Sequence, residues 1–138
     1  MDEKDLKIVF ELIRNGRIRK TELAKMLDVT ETAIRKRIEK LEKTGAILGY
    51  RAILDFKKIG LSSSLTGIDV EPEHLWEIVG KIKDHENVIS LFLTSGDHVI
   101  VAEVVCNSIQ ELASFHEEVS KIRGVKRVCP SVVLEVVK

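Results

Sequence analysis

Apolar residues recur at helical spacing up to Gly45 of this 138-residue chain, and beyond it they return mainly in short alternating runs. A period of 3.6 and a period of 2 cannot share one element, so two architectures must follow one another along the chain. In the first, Leu6, Val9, Phe10 and Ile13 stand at i, i+3, i+4 and i+7 and predict one buried helix face. Asp2 is placed to cap that helix, and Asn15-Gly16 to end it in a left-handed turn. A second, short helix carries Leu23, Ala24 and Leu27 with Thr21 as its cap. A third carries Ile34, Ile38 and Leu41, capped by Thr30 and stopped by Gly45. Only Asp28-Val29-Thr30 separates the second helix from the third, which is helix-turn-helix spacing.

Charge tests that reading. The totals cancel, with 22 basic and 22 acidic residues, and neutrality taken whole argues against a dedicated nucleic-acid binder. Divided after Gly60, however, the chain holds 15 basic and 10 acidic residues before the cut and 7 and 12 after it. A basic half beside an acidic half implies two tasks, and double-stranded DNA is the natural partner of the basic one. On the third helix Thr32, Lys36, Glu39 and Lys43 lie opposite the core stripe, flanked by Arg35 and Lys40. The N-terminal part of such a helix meets base edges in the major groove, which nominates Thr32, Arg35 and Lys36 for readout. Thr30, Arg37, Lys25 and Lys40 are nominated for phosphates, although Arg37, nearer the core edge, also suits an internal ion pair. Mixed charge also covers the outer helices of ordinary bundles, so a helical domain that binds protein stays open here.

The next run, Ile47, Leu48, Tyr50, Ala52, Ile53 and Leu54, is strand-like but needs a ladder from elsewhere. Gly60 and Ser62-Ser63-Ser64 mark a boundary. The expected division is 1–45 for the helix-turn-helix, 46–64 for a strand hinge and 65–138 for the remainder. That remainder reads as strand Leu65 to Val70, then a helix opened by Pro72 and carrying Leu75, Ile78, Val79 and Ile82. Strands Val88 to Thr94 and Val99 to Val105 follow, joined by Ser95-Gly96-Asp97-His98. Ser108 and Glu111 begin a helix with Leu112, Phe115, Val119 and Ile122, ended by Gly124, and Val125 to Val137 form the last strand. The fold class is α+β: a three-helix helix-turn-helix domain and a ferredoxin-like βαββαβ domain. Valines point to both sides of the middle and last strands, so the sheet face without helices needs a cover, and a second copy of the chain is the simplest one.

Chemistry-bearing motifs are sparse. His74, His85, His98 and His116 show no metal-ligand spacing with each other or with Cys106 and Cys129, so neither a metal nor a cofactor is expected. The cysteines are expected to be free thiols, their strands being separated by the first strand in ferredoxin-like order. Asp97-His98 admits an acid/base pair and hence a small enzyme, but such a turn is more often only a turn. No apolar run reaches membrane-spanning length and no signal segment opens the chain, so a cytoplasmic protein without membrane contact is expected.

Several short runs, weak singly, are specific in their order: Asp2-x-x-Asp5, Gly16-Arg17-Ile18, Glu22-Leu23-Ala24, Arg37-Ile38-Glu39-Lys40-Leu41-Glu42-x-x-Gly45-Ala46-Ile47 and Ser95-Gly96-Asp97. Through them the chain resembles the Lrp/AsnC family of transcription factors over nearly its whole length, and the Ser-Gly-Asp-His turn with Val128-Cys129-Pro130 is nearest to archaeal members. The resemblance implies a DNA-binding regulator that forms homodimers or larger assemblies such as octamers, with an amino-acid effector at subunit interfaces. For that effector it nominates Gly96, Asp97 and His98. The chain departs from the family at Asp28, where Gly is common, and at Val99, where many members carry a second acid. The alternative is an amino-acid-sensing interaction module without DNA binding.

Overall fold

Three helices make the first unit of the computed structural model, which describes residues 1–138 and divides into Met1–Ile53 and Leu54–Lys138. They are α1 (Glu3–Arg14), α2 (Lys20–Leu27) and α3 (Glu31–Lys43). A reciprocal capping box opens α1: the Asp5 amide donates to Asp2 at 2.9 Å and the Asp2 amide to Asp5 at 3.2 Å. Its buried face is not the expected one. Ile8 and Asp5 are buried, whereas Leu6, Phe10 and Ile13 are exposed and only Val9 of the expected stripe packs on the core. Apolar residues cover so much of α1 that two faces satisfy helical spacing, and Asp5 selects one because Arg37 of α3 draws its carboxylate inward at 3.0 Å.

The helix ends at Asn15 in extended backbone, φ −150°, rather than in a left-handed turn. Asn15 accepts instead from the Arg17 amide at 3.0 Å, closing a local turn through its side chain. Helix α2 starts ahead of Thr21, with Arg19 at the N-cap position and no side-chain cap, so Thr21 falls inside the first turn. Asp28 adopts the left-handed conformation (φ 53°, ψ 51°), which a short acid tolerates, and Thr30 accepts from the Ala33 amide at 3.1 Å to start α3. Gly45, at φ +79°, ends it. Ile8, Leu23, Ala24, Ile34, Ile38 and Leu41 form the core of this unit. The strand expected over Ile47 to Leu54 does not form: no ladder within the chain meets it, and Leu48 and Ile53 stay exposed.

The second unit contains β1 (Ser62–Val70), a 3-10 turn over Pro72–His74 that leads into α4 (Leu75–Lys83), β2 (Val88–Leu93), β3 (Ile100–Cys106), α5 (Ile109–Ser120) and β4 (Val125–Val132). The sheet order is β2-β3-β1-β4 with every neighbour antiparallel, the ferredoxin-like arrangement. Strand β1 begins at Ser62 rather than Leu65, because Ser62, Ser63 and Ser64 pair with Cys106, Val105 and Val104. The last strand stops at Val132 instead of Val137; one further bond, from the Val133 amide to the Ser63 carbonyl, closes it, and Leu134 and Val137 are exposed. Helix α5 ends before Gly124, whose φ of +93° serves the turn into β4.

Both helices pack on one sheet face, where Ile68, Ile100, Ala102 and Val104 meet Ile78, Ile82, Leu112 and Phe115. Residues of odd parity on β3, Val101, Glu103 and Val105, point to the other face, beside Leu65 of β1 and Phe92 of β2 through their pairings. Leu65 and Phe92 are more than half exposed there. Cys106 and Cys129 are free, with β1 between their strands.

Beneath α5, His116 Nε2 lies 2.7 Å from the Thr66 hydroxyl and 3.3 Å from that of Ser64, and burial lowers its pKa from 6.5. The fold therefore resists a proton that the unfolded chain accepts. Stability is expected to decline as the pH falls below about 6.5, since the unfolded state then binds more protons, and to be insensitive to this group above it. Denaturation midpoints from pH 7.5 to 5 check this; His116→Gln should flatten the slope, and an unchanged slope would assign it elsewhere.

Candidate functional site

Two local devices fix how α3 presents its polar face. The Thr30 cap sets where the helix begins, and Arg37 anchors its inner edge by bonding Asp2 at 2.7 and 2.8 Å and Asp5 at 3.0 Å. That guanidinium holds the Asp2 carboxyl down at about 2. Arg37, nominated for a phosphate, takes the internal ion pair instead: Asp2 and Asp5 hold its guanidinium at the start of α1, away from the other cations.

Thr32, Arg35, Lys36 and Lys40 are exposed on α3, as is Lys25 on α2. Arg35 pairs with Glu31 at 3.4 Å with both side chains about half exposed, a weak and screened contact that a phosphate or guanine edge can displace. The Thr30 hydroxyl accepts its capping bond and keeps its own proton to donate. Arg17, Arg19 and Lys20 add an exposed basic run at the start of α2. Reasoning from the α3 face alone missed this run; three cations within four positions was the signal. The unit Met1–Ile53 holds 13 basic and 9 acidic residues, so the structural division keeps the excess of positive charge on the helices.

The turn before β3 is ordered differently from its sequence reading. The Gly96 amide donates to Thr94 Oγ1 at 3.2 Å, and that hydroxyl donates to the His98 carbonyl at 2.6 Å, so the glycine amide is already engaged. Asp97 is exposed. His98 turns away from it onto β1, where its Nδ1 lies 2.9 Å from Asp69 Oδ1. The ring lies over Gly67; a Cβ at that position would overlap the imidazole, so the glycine is required by this packing. Cys129 pairs with Gly67 from the other side of β1. Donor atoms of Asp69, His98 and Cys129 consequently lie within 4.8 Å of one another. The fold thus brings His98 together with Asp69 and with Cys129, 31 positions away.

Comparison with known proteins covers both units. Residues 1–47 match the family model for winged helix-turn-helix DNA-binding domains, and residues 63–138 match that of the Lrp/AsnC ligand binding domain. The HTH-type transcriptional regulator LrpA of Pyrococcus horikoshii is 42% identical over 141 residues, covering 100% of this chain and 99% of that protein. The protein of the same name from Pyrococcus abyssi is 41% identical over 140 residues, with the same coverage of 100% and 99%. The solved structure of AsnC from E. coli superposes with a TM-score of 0.69 at 25% identity, over 100% of this chain and 95% of that one. No helix is long and apolar enough to cross a membrane.

Proposed function

Since the chain belongs to the Lrp/AsnC family and is a DNA-binding transcriptional regulator rather than an enzyme, we propose that α3 reads its operator through Thr32, Arg35 and Lys36. Lys25, Lys40 and the Thr30 hydroxyl hold the phosphates on either side. The observation that carries this assignment is the exposed, mostly basic N-terminal face of α3, set in place by Thr30 and by the Arg37 anchor. Base contacts discriminate and phosphate contacts only add affinity, so the two sets separate by experiment. Arg35→Ala should cost about 1–3 kcal/mol on the operator and relax base preference. Lys25→Ala should weaken all sequences alike and lower the salt slope by about one. Selection of bound genomic fragments supplies the operator; equal losses on operator and random DNA for both variants would refute the division.

In this reading residues 1–45 are the reading head, 46–61 the hinge, shortened from 46–64 because Ser62–Ser64 belong to β1, and 62–138 the assembly and sensing domain, acting in the cytoplasm. The sheet face that carries Leu65, Phe92, Val101 and Val105 supports a homodimer as the unit from which any larger assembly, such as an octamer, is built. Two-fold related α3 helices then address half-sites about one helical turn apart or a multiple of it.

For the effector, the exposed Asp97 carboxylate supports capture of an α-ammonium group, with the remaining contacts coming from a neighbouring subunit. His98 shapes the turn from its bond to Asp69. Calorimetry against the twenty amino acids should give heat with at least one, lost in Asp97→Ala; no heat at millimolar ligand removes the effector from this turn.

A further inference from the structure

We propose that Asp69, His98 and Cys129 form a binding site for a zinc-class divalent transition metal on the open face of the sheet. Nothing in their order along the chain suggests it. Strand register does: Gly67 of β1 pairs with Cys129 of β4 on one side and Val101 of β3 on the other, and Asp69 follows two residues later on the same face. Because residue 67 has no side chain, the His98 ring lies across β1 and meets both Asp69 and the Cys129 side.

The donor set is selective. One imidazole, one thiol and one carboxylate match the mixed nitrogen, sulfur and oxygen ligation of zinc, and the sulfur disfavours calcium or magnesium. The spacing is close to what such a centre needs. Bonds of about 2.0–2.3 Å in a tetrahedron put ligand atoms about 3.3–3.8 Å apart. Here the imidazole Nδ1 and the carboxylate are 2.9 Å apart, and all three donors lie within 4.8 Å. Side-chain rotation alone covers the difference, with the backbone held by the β1 ladders to β3 and β4.

Within one chain all three residues are half-buried; on the face assigned above to the homodimer, the second copy then borders the fourth position, which a water or one of its own groups fills. On binding, the Cys129 thiol gives its proton to solvent as the sulfur–metal bond forms, and His98 ligates as neutral imidazole, so affinity should rise with pH. An Asp69–His98 hydrogen bond alone accounts for two of the three groups; it gives no role to the sulfur. The bound ion joins the turn before β3 to β1 and β4, and its three protein ligands all come from one chain.

The test uses the full chain, freed of metal by chelator and kept reduced, titrated with Co²⁺. One equivalent should produce a near-ultraviolet thiolate-to-cobalt band with visible bands of tetrahedral strength, bleached by equimolar Zn²⁺. Cys129→Ser should lose the thiolate band, His98→Ala should weaken binding by more than about tenfold, and Cys106→Ser should match the parent. Circular dichroism of each variant verifies the fold; should Cys129→Ser fail to fold, alkylation of the two thiols with and without Zn²⁺ replaces it, with protection of Cys129 alone expected. A parent protein without the band, a band retained in Cys129→Ser, or equal alkylation of both thiols with and without Zn²⁺ would overturn the proposal.

Discussion

Ile34→Ala should unfold the helical unit and abolish DNA binding while the sheet unit stays folded. Ile34 is fully buried in a small core of six buried residues edged by six half-buried ones, and truncating such a side chain costs about 2–5 kcal/mol. Whole domains are stable by only about 5–15 kcal/mol, and units of this size sit at the low end. One truncation therefore removes much of the stability of Met1–Ile53, whereas the core around Ile68, Ile78 and Ile100 is untouched. Native-state hydrogen exchange separates the cases: protection should vanish across α1 to α3 and persist in β1 to β4. Loss of protection in both units together would show that they fold as one.

If the homodimer proposed above forms on this face, Leu65→Lys should split it and weaken operator binding by about a hundred- to ten-thousandfold. The residue is more than half exposed within one chain and faces Glu103 of β3, so lysine is tolerated and gains a cross-strand neighbour of opposite charge. Between two apposed sheets the same ammonium would have to shed its water, at a cost of several kcal/mol. A monomer reads only one half-site and loses the effective concentration that the tethered second head supplies. Sedimentation reports the mass and a mobility shift the affinity. An unchanged dimer would move the interface to another surface while leaving the reading by α3 in place.

Signals confined to neighbouring residues were legible in the sequence. Asp2, Thr30 and Ser108 cap their helices, and Gly45 ends α3 with positive φ, because capping and turn chemistry depend on a few adjacent positions. The α3 stripe of Ile34, Ile38 and Leu41 is buried because α3 has a single apolar face. Helix α1 has two, and the choice depends on Arg37, 32 positions from Asp5. No periodicity contains that information. The Ile47 to Leu54 run has the alternation of a strand, but a strand is a property of two segments and the chain supplies one. The Asp69, His98 and Cys129 cluster arises from how β1 registers with β3 and β4, so ligand-spacing rules built for loops and helices pass over it.

Because Asp5 takes the inward position on α1, the apolar side chains of Leu6, Phe10 and Ile13 face out, and Leu48 and Ile53 are exposed near the end of the same unit. These groups are exposed in the whole chain as much as in a head cut free at residue 53, so any preparation that contains this unit presents them to water and tends to self-associate unless a partner covers them. Its salt dependence would then report a mixture of phosphate binding and clumping, in unknown proportion. Affinity and specificity of this regulator are therefore defined only where the mass of the species bound to DNA is measured alongside them.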